Sequence, residues 1–335
     1  MFLSVGVRMV VNVEALNMVE SVGNVTRHRK ATIVFRKDGE YVVRVVPVIS
    51  GESVAHAYQY WITELAKKAY PKDSVPLCEY CERGEFLKHC DSKLFGGKDW
   101  EKELKVVVEG KDYEPHQVEE TIVKNCIVED IGGFLYPGAR PVKRTSRFQV
   151  GYVVPTMDTI EKGAVAVEPQ FHVRYSLSQA QQQGQMIYYV ETGSAVYSMT
   201  FNLDIDGIGV TSMVKVVDVV GEQERKKRVE LAIDALAVML DSKIFGAKLS
   251  RFTPVTDYET VLAVVSDYPP LVVSPPAVKE FVEKTVARSK KYGEAFGTKA
   301  KLFGYGEGLP KEVEKADNLI ELFEKVKEAV KAGLR

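Results

Sequence analysis

The chain has 335 residues, of which 45% are hydrophobic and 27% charged, and this composition is typical of a soluble globular protein with one large domain or two smaller ones. No apolar run reaches the roughly 18 residues that a membrane-spanning helix requires. The formal net charge of −1 argues against a protein that coats nucleic acid indiscriminately, yet it allows one basic face balanced by acidic surface elsewhere.

The amino-terminal sequence MFLSVGVRMVVNV predicts a strand over residues 3–13, because apolar side chains occupy every second position. It lacks a basic region followed by a small-residue cleavage site, so we expect no signal peptide and a cytoplasmic protein. Residues 31–46 are typical of a hairpin, with Asp38 and Gly39 in its turn. Ser50 is expected to cap a helix over residues 51–69.

Four further predicted elements, three strands and one helix, complete the order of the core. Alternating strands are predicted at 147–154, 197–205 and 258–265, with a helix at 222–245 between the last two. The order strand, helix, strand, strand, helix, strand predicts an α+β fold whose core is a split βαβ, ferredoxin-like arrangement, as in RNA-recognition (RRM) domains. Fold alone does not establish RNA binding.

Long insertions interrupt this core, which we assign to residues 1–275. They are predicted at 14–46, at 70–146 and in an arm over 155–196. Six of the ten glutamines lie between Gln170 and Gln185, so the arm is expected to have an exposed, mobile polar tip. Residues 276–335 are expected to form two amphipathic helices, near 276–292 and 316–333, that pack on the core.

Charge is segregated along the chain. Residues 131–157 contain no acid, and they carry the basic segment GARPVKRTSRF with Lys143, Arg144 and Arg147. Residues 163–190 contain one acid, together with His172 and Arg174. A third basic run, TRHRK, follows the Gly-Asn turn at residues 23–24. A solvated face is the ordinary interpretation of one such run, but three acid-poor basic stretches favour an anionic partner. We therefore expect them to converge into one continuous groove.

The cysteines suggest a metal site. Cys78 and Cys81 are three positions apart and can bind one Zn²⁺ from a tight turn, with Cys90 as the third ligand. The fourth ligand would come from Cys126, His89 or His116. A disulfide or free thiols are the alternatives, and no other cofactor is expected.

The histidines leave two functions open. His28, His56 and His172 could contact phosphates and bases, or one of them could act as the general acid or base of a metal-independent RNA-cleaving enzyme. Contact is the favoured role because it demands less exact geometry. No motif marks a nucleophile.

Several segments, taken in order, resemble one family across nearly the whole chain. They are LNMVESVGNVTRHRKATI, VVPVISGESVAHAYQ with Pro47, Ile49, Ser50, Gly51 and His56, VEDIGGFLYPGARPVKRTSRFQVGYVVPT, FHVRYS and FGAKLSRFTPV. Their combination resembles the DevR-type backbone subunits of CRISPR Cascade, closest to the archaeal type I-A (apern) subtype.

The resemblance implies a non-catalytic protein that polymerises as a helical filament along CRISPR RNA. Family members use a modified RRM fold with a thumb-like hairpin that displaces guide bases at intervals, which here corresponds to the arm. Target DNA is then recognised in antiviral defence through pairing with the guide. The implied partners are CRISPR RNA, target DNA, further copies of the chain, other Cascade subunits and the nuclease-helicase, with no membrane. The competing hypothesis is a CRISPR repeat endoribonuclease with a catalytic histidine.

The resemblance also implies roles for individual residues. Asn24, Arg27, His28 and Arg29 would lie along the RNA, with Gly23 allowing close approach of the backbone. His56 belongs to the matched helix. Lys143, Arg144 and Arg147 would contact phosphates. His172 and Arg174 would brace a kinked nucleotide.

Overall fold

The computed structural model describes residues 1–175 and 185–334. The glutamine-rich tip predicted at 176–184 lies outside the described residues. The strands, numbered in chain order, are β1 (Phe2–Glu14), β2 (Met18–Val22), β3 (Val25–His28), β4 (Lys30–Lys37), β5 (Glu40–Pro47), β6 (Phe134–Tyr136), β7 (Val142–Arg144), β8 (Phe148–Val150), β9 (Val154–Pro155), β10 (Ala166–Tyr175), β11 (Gln185–Asp204), β12 (Val255–Ser266), β13 (Ala300–Gly306) and β14 (Glu314–Lys315). The helices are α1 (Gly51–Ala69), α2 (Glu79–Glu82), α3 (Asp99–Glu109), α4 (Pro115–Asn125), α5 (Ile127–Gly132), α6 (Met157–Glu161), α7 (Glu222–Ser242), α8 (Leu249–Phe252), α9 (Phe281–Phe296) and α10 (Leu319–Gly333).

A mixed sheet forms the centre of the protein, in the order β14-β13-β12-β1-β11-β3-β2. The period-two strand predicted at the amino terminus is β1, which pairs antiparallel with β11 on one side and β12 on the other. The short strands β8 and β9 and the arm strand β10 also pair with β11. β11 thus pairs with five other strands, namely β1, β3, β8, β9 and β10.

Helices cover both faces of this sheet. One face of β1 packs with α1, α7 and α10 in the main core, to which β12 contributes Val261 and Ala263. The neighbouring residues Leu262 and Val264 point the other way and pack against α9. This alternation explains why β12 is an almost continuous apolar run: both of its faces are buried.

The helix α1 begins and ends where the sequence predicts. The Ser53 N–H donates to Ser50 Oγ over 3.3 Å, so Ser50 caps the helix. A Cβ added to Gly51 would lie 2.6 Å from the carbonyl oxygen of Val150, so only glycine allows the helix to start this close to β8. The predicted hairpin is also present as β4 and β5, with its turn at Asp38 and Gly39.

The insertion after α1 forms its own small apolar cluster and covers part of that helix. The cluster includes Leu104, Ile122, Phe134 and Tyr136. Thr63 is buried on α1 and donates to the Cys81 carbonyl over 3.2 Å. The insertion is therefore anchored to the core by a buried polar contact as well as by packing.

Within the predicted arm, β10 pairs with the first half of β11, from Ala166 opposite Ser194 to Tyr175 opposite Gln185. The second half of β11 pairs with β1. The hairpin is thus a direct extension of a core strand, and its base is fixed by the central sheet. In the described part of the chain, no helix combines the length and apolarity needed to span a bilayer.

Candidate nucleic-acid interface

An open cleft of ≈ 600 Å³ lies beside the start of α1. Its walls come from the loop after β1, the residue that precedes β4, the first turns of α1 and the loop after α7. The residues that line the cleft include Asn17, Arg29, Ser50, His56, Gly246 and Leu249. Two of the sequence-predicted site residues, Arg29 and His56, therefore share one concave surface.

Backbone hydrogen bonds fix the position of Arg29. Its N–H donates to the Asn17 carbonyl and its own carbonyl accepts from Val48 N–H, both over 3.0 Å. Its Nη1 donates to Tyr152 Oη over 3.3 Å, whereas its buried Nε has no hydrogen-bond partner among the described residues. A guanidinium held in place with an unused donor is suited to bind an anionic oxygen.

His56 is exposed on α1 and rests edge-on against Phe86, with ring centroids 5.0 Å apart. Asn17 joins this helix to the loop after β1, because its Oδ1 accepts the Ser50 N–H over 2.7 Å. Sequence analysis did not single out Asn17, although it lies within a segment that carries the family resemblance.

The opposite wall of the cleft depends on Gly246. This residue has φ +83°, and an added Cβ would lie 2.8 Å from Leu16 Cβ. The next residue, Ala247, donates its N–H to the Leu16 carbonyl over 2.9 Å. Glycine is therefore required both for the left-handed backbone and for the close approach.

The β2–β3 turn extends the same surface to the base of the arm. Gly23 has φ +63°, and the carbonyl of the exposed Asn24 accepts the Tyr189 N–H over 2.8 Å. Arg27 is exposed, with only a loose ion pair of 3.9 Å to Glu20. Both predicted residues can therefore reach a ligand.

His28 does not lie on this surface, and its predicted RNA contact is corrected by the structure. Its Nε2 is 2.5 Å from Glu14 Oε1 and its Nδ1 is 2.8 Å from the Arg29 carbonyl, with both side chains buried. Burial acts to lower the pKa of His28, but the hydrogen bond and charge of Glu14 outweigh this effect and raise it. His28 thus tethers β3 to β1.

Along the arm, six ladder positions beyond the pair of Ala166 and Ser194, His172 stacks on Tyr188 with ring centroids 5.2 Å apart and contacts Phe252 edge-on. Arg251 Nη1 donates to Tyr188 Oη over 3.1 Å. Arg174 occupies the β10 position opposite Met186. Because α8 contains both Leu249 and Phe252, it links the cleft to the arm. Sequence analysis missed Tyr188 as a site residue, and Arg251 and Phe252 were only part of a matched segment.

Arg144 is the clearest correction, since its side chain is 0% exposed. It lies 2.5 Å from Asp130 and 3.3 Å from Glu119, and it donates to the carbonyls of Gly207 and Val210. All its donors are directed at protein atoms inside the fold. It has no access to RNA in this arrangement.

Lys143 and Arg147 lie at the far end of β11. Lys143 is exposed, whereas Arg147 pairs with Asp204 over 3.2 Å. Val190 pairs with β3 near Arg27, so about 14 residues of strand, or roughly 45 Å, separate the two groups. The expectation of one continuous basic groove is therefore wrong. Arg29 and His56 share the cleft, and Asn24 contacts β11 in the arm, whereas the segment at 143–147 lies apart from both.

The thiols also differ from the expected set. Sγ atoms of Cys78, Cys81 and Cys126 and a carboxylate oxygen of Glu129 lie within 4.8 Å of one another, and all four residues are buried. Cys90 is exposed and outside this group. It follows His89, which is directed inward, so the two adjacent side chains do not serve one site.

The fold is shared with subunits of known assemblies. A chain described as "CRISPR RNA-guided surveillance complex, pre-nicking" matches with a TM-score of 0.58 at 11% identity, covering 98% of this chain and 100% of that one. A chain described as "CRISPR RNA-guided surveillance complex" gives 0.50 at 10% identity, with the same coverage. These matches place the protein in the architectural class found in such complexes.

Sequence comparisons identify the family. A family model described as "CRISPR-associated negative auto-regulator DevR/Csa2" matches residues 5–286. "CRISPR-associated aCascade subunit Cas7/Csa2 2" of Saccharolobus solfataricus is 37% identical over 307 residues, covering 90% of this chain and 91% of the relative. "CRISPR-associated protein Cas7/Cst2/DevR" of Methanocaldococcus jannaschii is 29% identical, covering 96% and 98%. The chain belongs to the DevR/Csa2 family, which confirms the resemblance seen in its sequence.

Proposed function

We propose that this protein is a non-catalytic, CRISPR RNA-binding backbone subunit of a type I-A Cascade surveillance complex. Copies of the chain polymerise along the guide RNA in the cytoplasm and hold its bases for pairing with target DNA in antiviral defence. They assemble with other Cascade subunits and with the nuclease-helicase. Family membership and the names of the Saccharolobus and Methanocaldococcus relatives support this assignment.

The cleft that contains Arg29 and His56 is the observation that carries the proposal. Arg29 offers an unused Nε donor and has no carboxylate within ion-pair distance among the described residues. A phosphate diester in the cleft would give the Arg29 guanidinium the anionic partner that it lacks. The exposed Asn24 and Arg27 continue the path from the cleft to the arm.

The strand order β12-β1-β11-β8, with α1 and α7 on one face, supports an RRM-like split βαβ core. In this interpretation β13, β14, β2 and β3 extend the edges of that core. Residues 1–275 then form the RNA-binding unit, and α9 and α10 pack against it. RRM-type sheets bind single-stranded RNA, which is the form a guide must take to pair with DNA.

The arm supplies the second half of the proposal. On one face of the hairpin His172 stacks on Tyr188, and the exposed Phe171 packs edge-on against Tyr189 on the other face. Aromatic side chains on a strand can stack with nucleobases that have left their own stack. Arg174 on the same strand would then brace a displaced nucleotide. Because bound neighbours raise the effective concentration of the next copy, weak contacts suffice when they repeat along a filament.

Lys143 and Arg147 keep a lesser role in this proposal. Lys143 is exposed and can contact phosphate only at the far end of β11, while Arg147 is largely neutralised by Asp204. Their removal should weaken RNA binding less than removal of Arg29. Arg144 and His28 are not included, because both are buried.

Co-purification and cleavage assays test the function. The protein should co-purify with RNA of uniform length, and it should bind CRISPR precursor RNA in EDTA without forming products. Discrete cleavage that disappears in a His56→Ala variant would favour the endoribonuclease instead, because His56 is the histidine that lines the cleft. Purified protein with no length-dependent RNA binding would reject both functions.

A further inference from the structure

A cluster of three thiols and one carboxylate lies buried between α1 and the insertion, and the proposed RNA binding does not use these four side chains. The ligand atoms of Cys78, Cys81, Cys126 and Glu129 fall within 4.8 Å of one another. We infer that this cluster is a structural Zn²⁺ site with three thiolate ligands and one carboxylate ligand.

The distances approach those around a tetrahedral ion. Ligands at about 2.0–2.3 Å from Zn²⁺ lie roughly 3.3–3.8 Å apart, so no separation in the cluster exceeds this range by more than about one ångström. Three sulfurs with one oxygen suit zinc, whereas magnesium and calcium take oxygen ligands.

The local backbone is already arranged as a metal-binding turn. Cys78 precedes α2, and its Sγ accepts the Cys81 N–H over 3.4 Å. Gly84, with φ +78°, then turns the chain back, and its N–H donates to the Cys81 carbonyl over 3.1 Å. Cys126 lies between α4 and α5, and Ile127 N–H donates to the Pro76 carbonyl over 2.9 Å, which holds the two parts of the site together.

Glu129 is oriented toward the thiols by His89. The His89 Nδ1 lies 2.7 Å from Glu129 Oε1, and the His89 backbone N–H donates to Oε2 over 3.1 Å. The His89 Nε2 faces buried Glu101 at 3.2 Å. A partner that fixes the orientation of a ligand is a regular feature of metal sites, so His89 acts as a positioning residue.

Nearby groups can balance the negative charge of such a site. Three thiolates and a carboxylate exceed the charge of one dication, so hydrogen-bond donors and cations close to the cluster are needed. Lys88 donates to the carbonyls of Gly132 and Gly133 beside the cluster. On binding, Zn²⁺ takes the place of the three thiol protons, which pass to solvent.

The segment around the site has little regular structure to hold it otherwise. Between α1 and α3 the described chain has only the four-residue α2 and the short 3₁₀ turns Lys72–Ser74 and Ser92–Leu94. Phe86 and Lys88 both have positive φ. A metal crosslink from this segment to Cys126 and Glu129 would fix it against the helices of the insertion.

Metal analysis of the full-length protein, purified under reducing conditions without chelator, tests the site. We expect one zinc per chain in the wild type and near-complete loss in Cys126→Ser. The matched control is Cys90→Ser, which removes an exposed thiol outside the cluster and should keep one zinc. Zinc retained by Cys126→Ser but lost from Cys90→Ser would overturn the assignment.

A second measurement uses only the wild-type chain, so it does not depend on a variant that folds. After zinc removal, Co²⁺ should produce the visible absorption of a tetrahedral ion and a thiolate-to-cobalt charge-transfer band. Chelation should lower Tm, and Zn²⁺ but not Mg²⁺ should restore it. A reduced protein that binds neither Zn²⁺ nor Co²⁺ would contradict the proposal, as would an intact mass lower by two hydrogen atoms together with a peptide map that joins Cys78 to Cys81.

Discussion

Arg144 and Asp130 form an ion pair of 2.5 Å in which both side chains are fully buried. Arg228 reaches the other carboxylate oxygen of Asp130 over 2.9 Å, and Glu119 lies 3.3 Å from Arg144. This network joins β7, α4, α5 and α7. Arg144 therefore stabilises the attachment of the insertion, and it lies on the inward face of β7 together with the buried Val142.

Replacing Arg144 with alanine should lower the free energy of unfolding by about 3–5 kcal/mol, because Glu119 would keep a buried charge without a cationic partner and Asp130 would keep only Arg228. Chemical denaturation measures this change. The neighbouring Lys143→Ala variant is the matched control, since its exposed side chain should change stability by less than about 0.5 kcal/mol. A stable Arg144→Ala protein with selectively weakened RNA binding would show that Arg144 contacts RNA after all.

The pair of His28 and Glu14 should make stability depend on pH. Because Glu14 outweighs burial and raises the pKa of His28, folding favours the protonated imidazole. This contribution is complete below the ordinary pKa of 6.5 and is lost as the pH rises through the raised pKa of the folded state. The stability difference between wild type and His28→Gln should therefore shrink in alkaline buffer.

Denaturation midpoints, taken from below pH 6.5 into alkaline buffer, measure the stability difference between wild type and His28→Gln. His56→Gln serves as the control because His56 is exposed, and its profile should follow that of the wild type. A constant difference between wild type and His28→Gln at every pH would show that folding does not change the pKa of His28, which would contradict the role given to Glu14.

Gly246→Ala should distort the cleft. The substitution forces a left-handed backbone on alanine and places Cβ 2.8 Å from Leu16 Cβ, so we expect a loss of about 1–3 kcal/mol in stability together with weaker RNA binding. Gly39→Ala is the matched control: its φ is +89°, but open space surrounds it. It should cost stability from strain alone and leave RNA affinity unchanged. Equal RNA affinity in both variants would show that the cleft takes no part in RNA binding.

Much of the fold follows from local patterns. Apolar alternation gave β1, the pair Asp38 and Gly39 gave the β4–β5 hairpin, and Ser50 gave the start of α1, because each signal lies within the element it specifies. The strand β13 was not predicted, since its Phe-Gly-Tyr-Gly sequence is typical of a loop and becomes a strand only through pairing with β12. The predicted strand at 147–154 is two short strands, β8 and β9.

The site was harder to predict because its decisive partners are distant in sequence. Arg144 looked solvent-facing because its acids, Glu119 and Asp130, lie in separate helices of the insertion. His28 looked like part of a basic run because its partner Glu14, the last residue of β1, lies 14 residues earlier in the chain. Cys126 lies 45 residues beyond Cys81, so spacing favoured the nearer Cys90. Arg29 and His56, which share the cleft, both lie in segments that carry the family resemblance, and their contact with RNA stays a prediction.

The central claim is that the cleft beside α1 binds the guide RNA, and a salt-dependent binding titration of Arg29→Ala tests it most directly. The matched control is Lys68→Ala, which removes one exposed positive charge about 18 Å along α1 from His56. With labelled CRISPR RNA, Arg29→Ala should bind several-fold more weakly, and its slope of log affinity against log salt should fall by about one, while Lys68→Ala matches the wild type. Identical affinities and slopes for the two variants would contradict the claim.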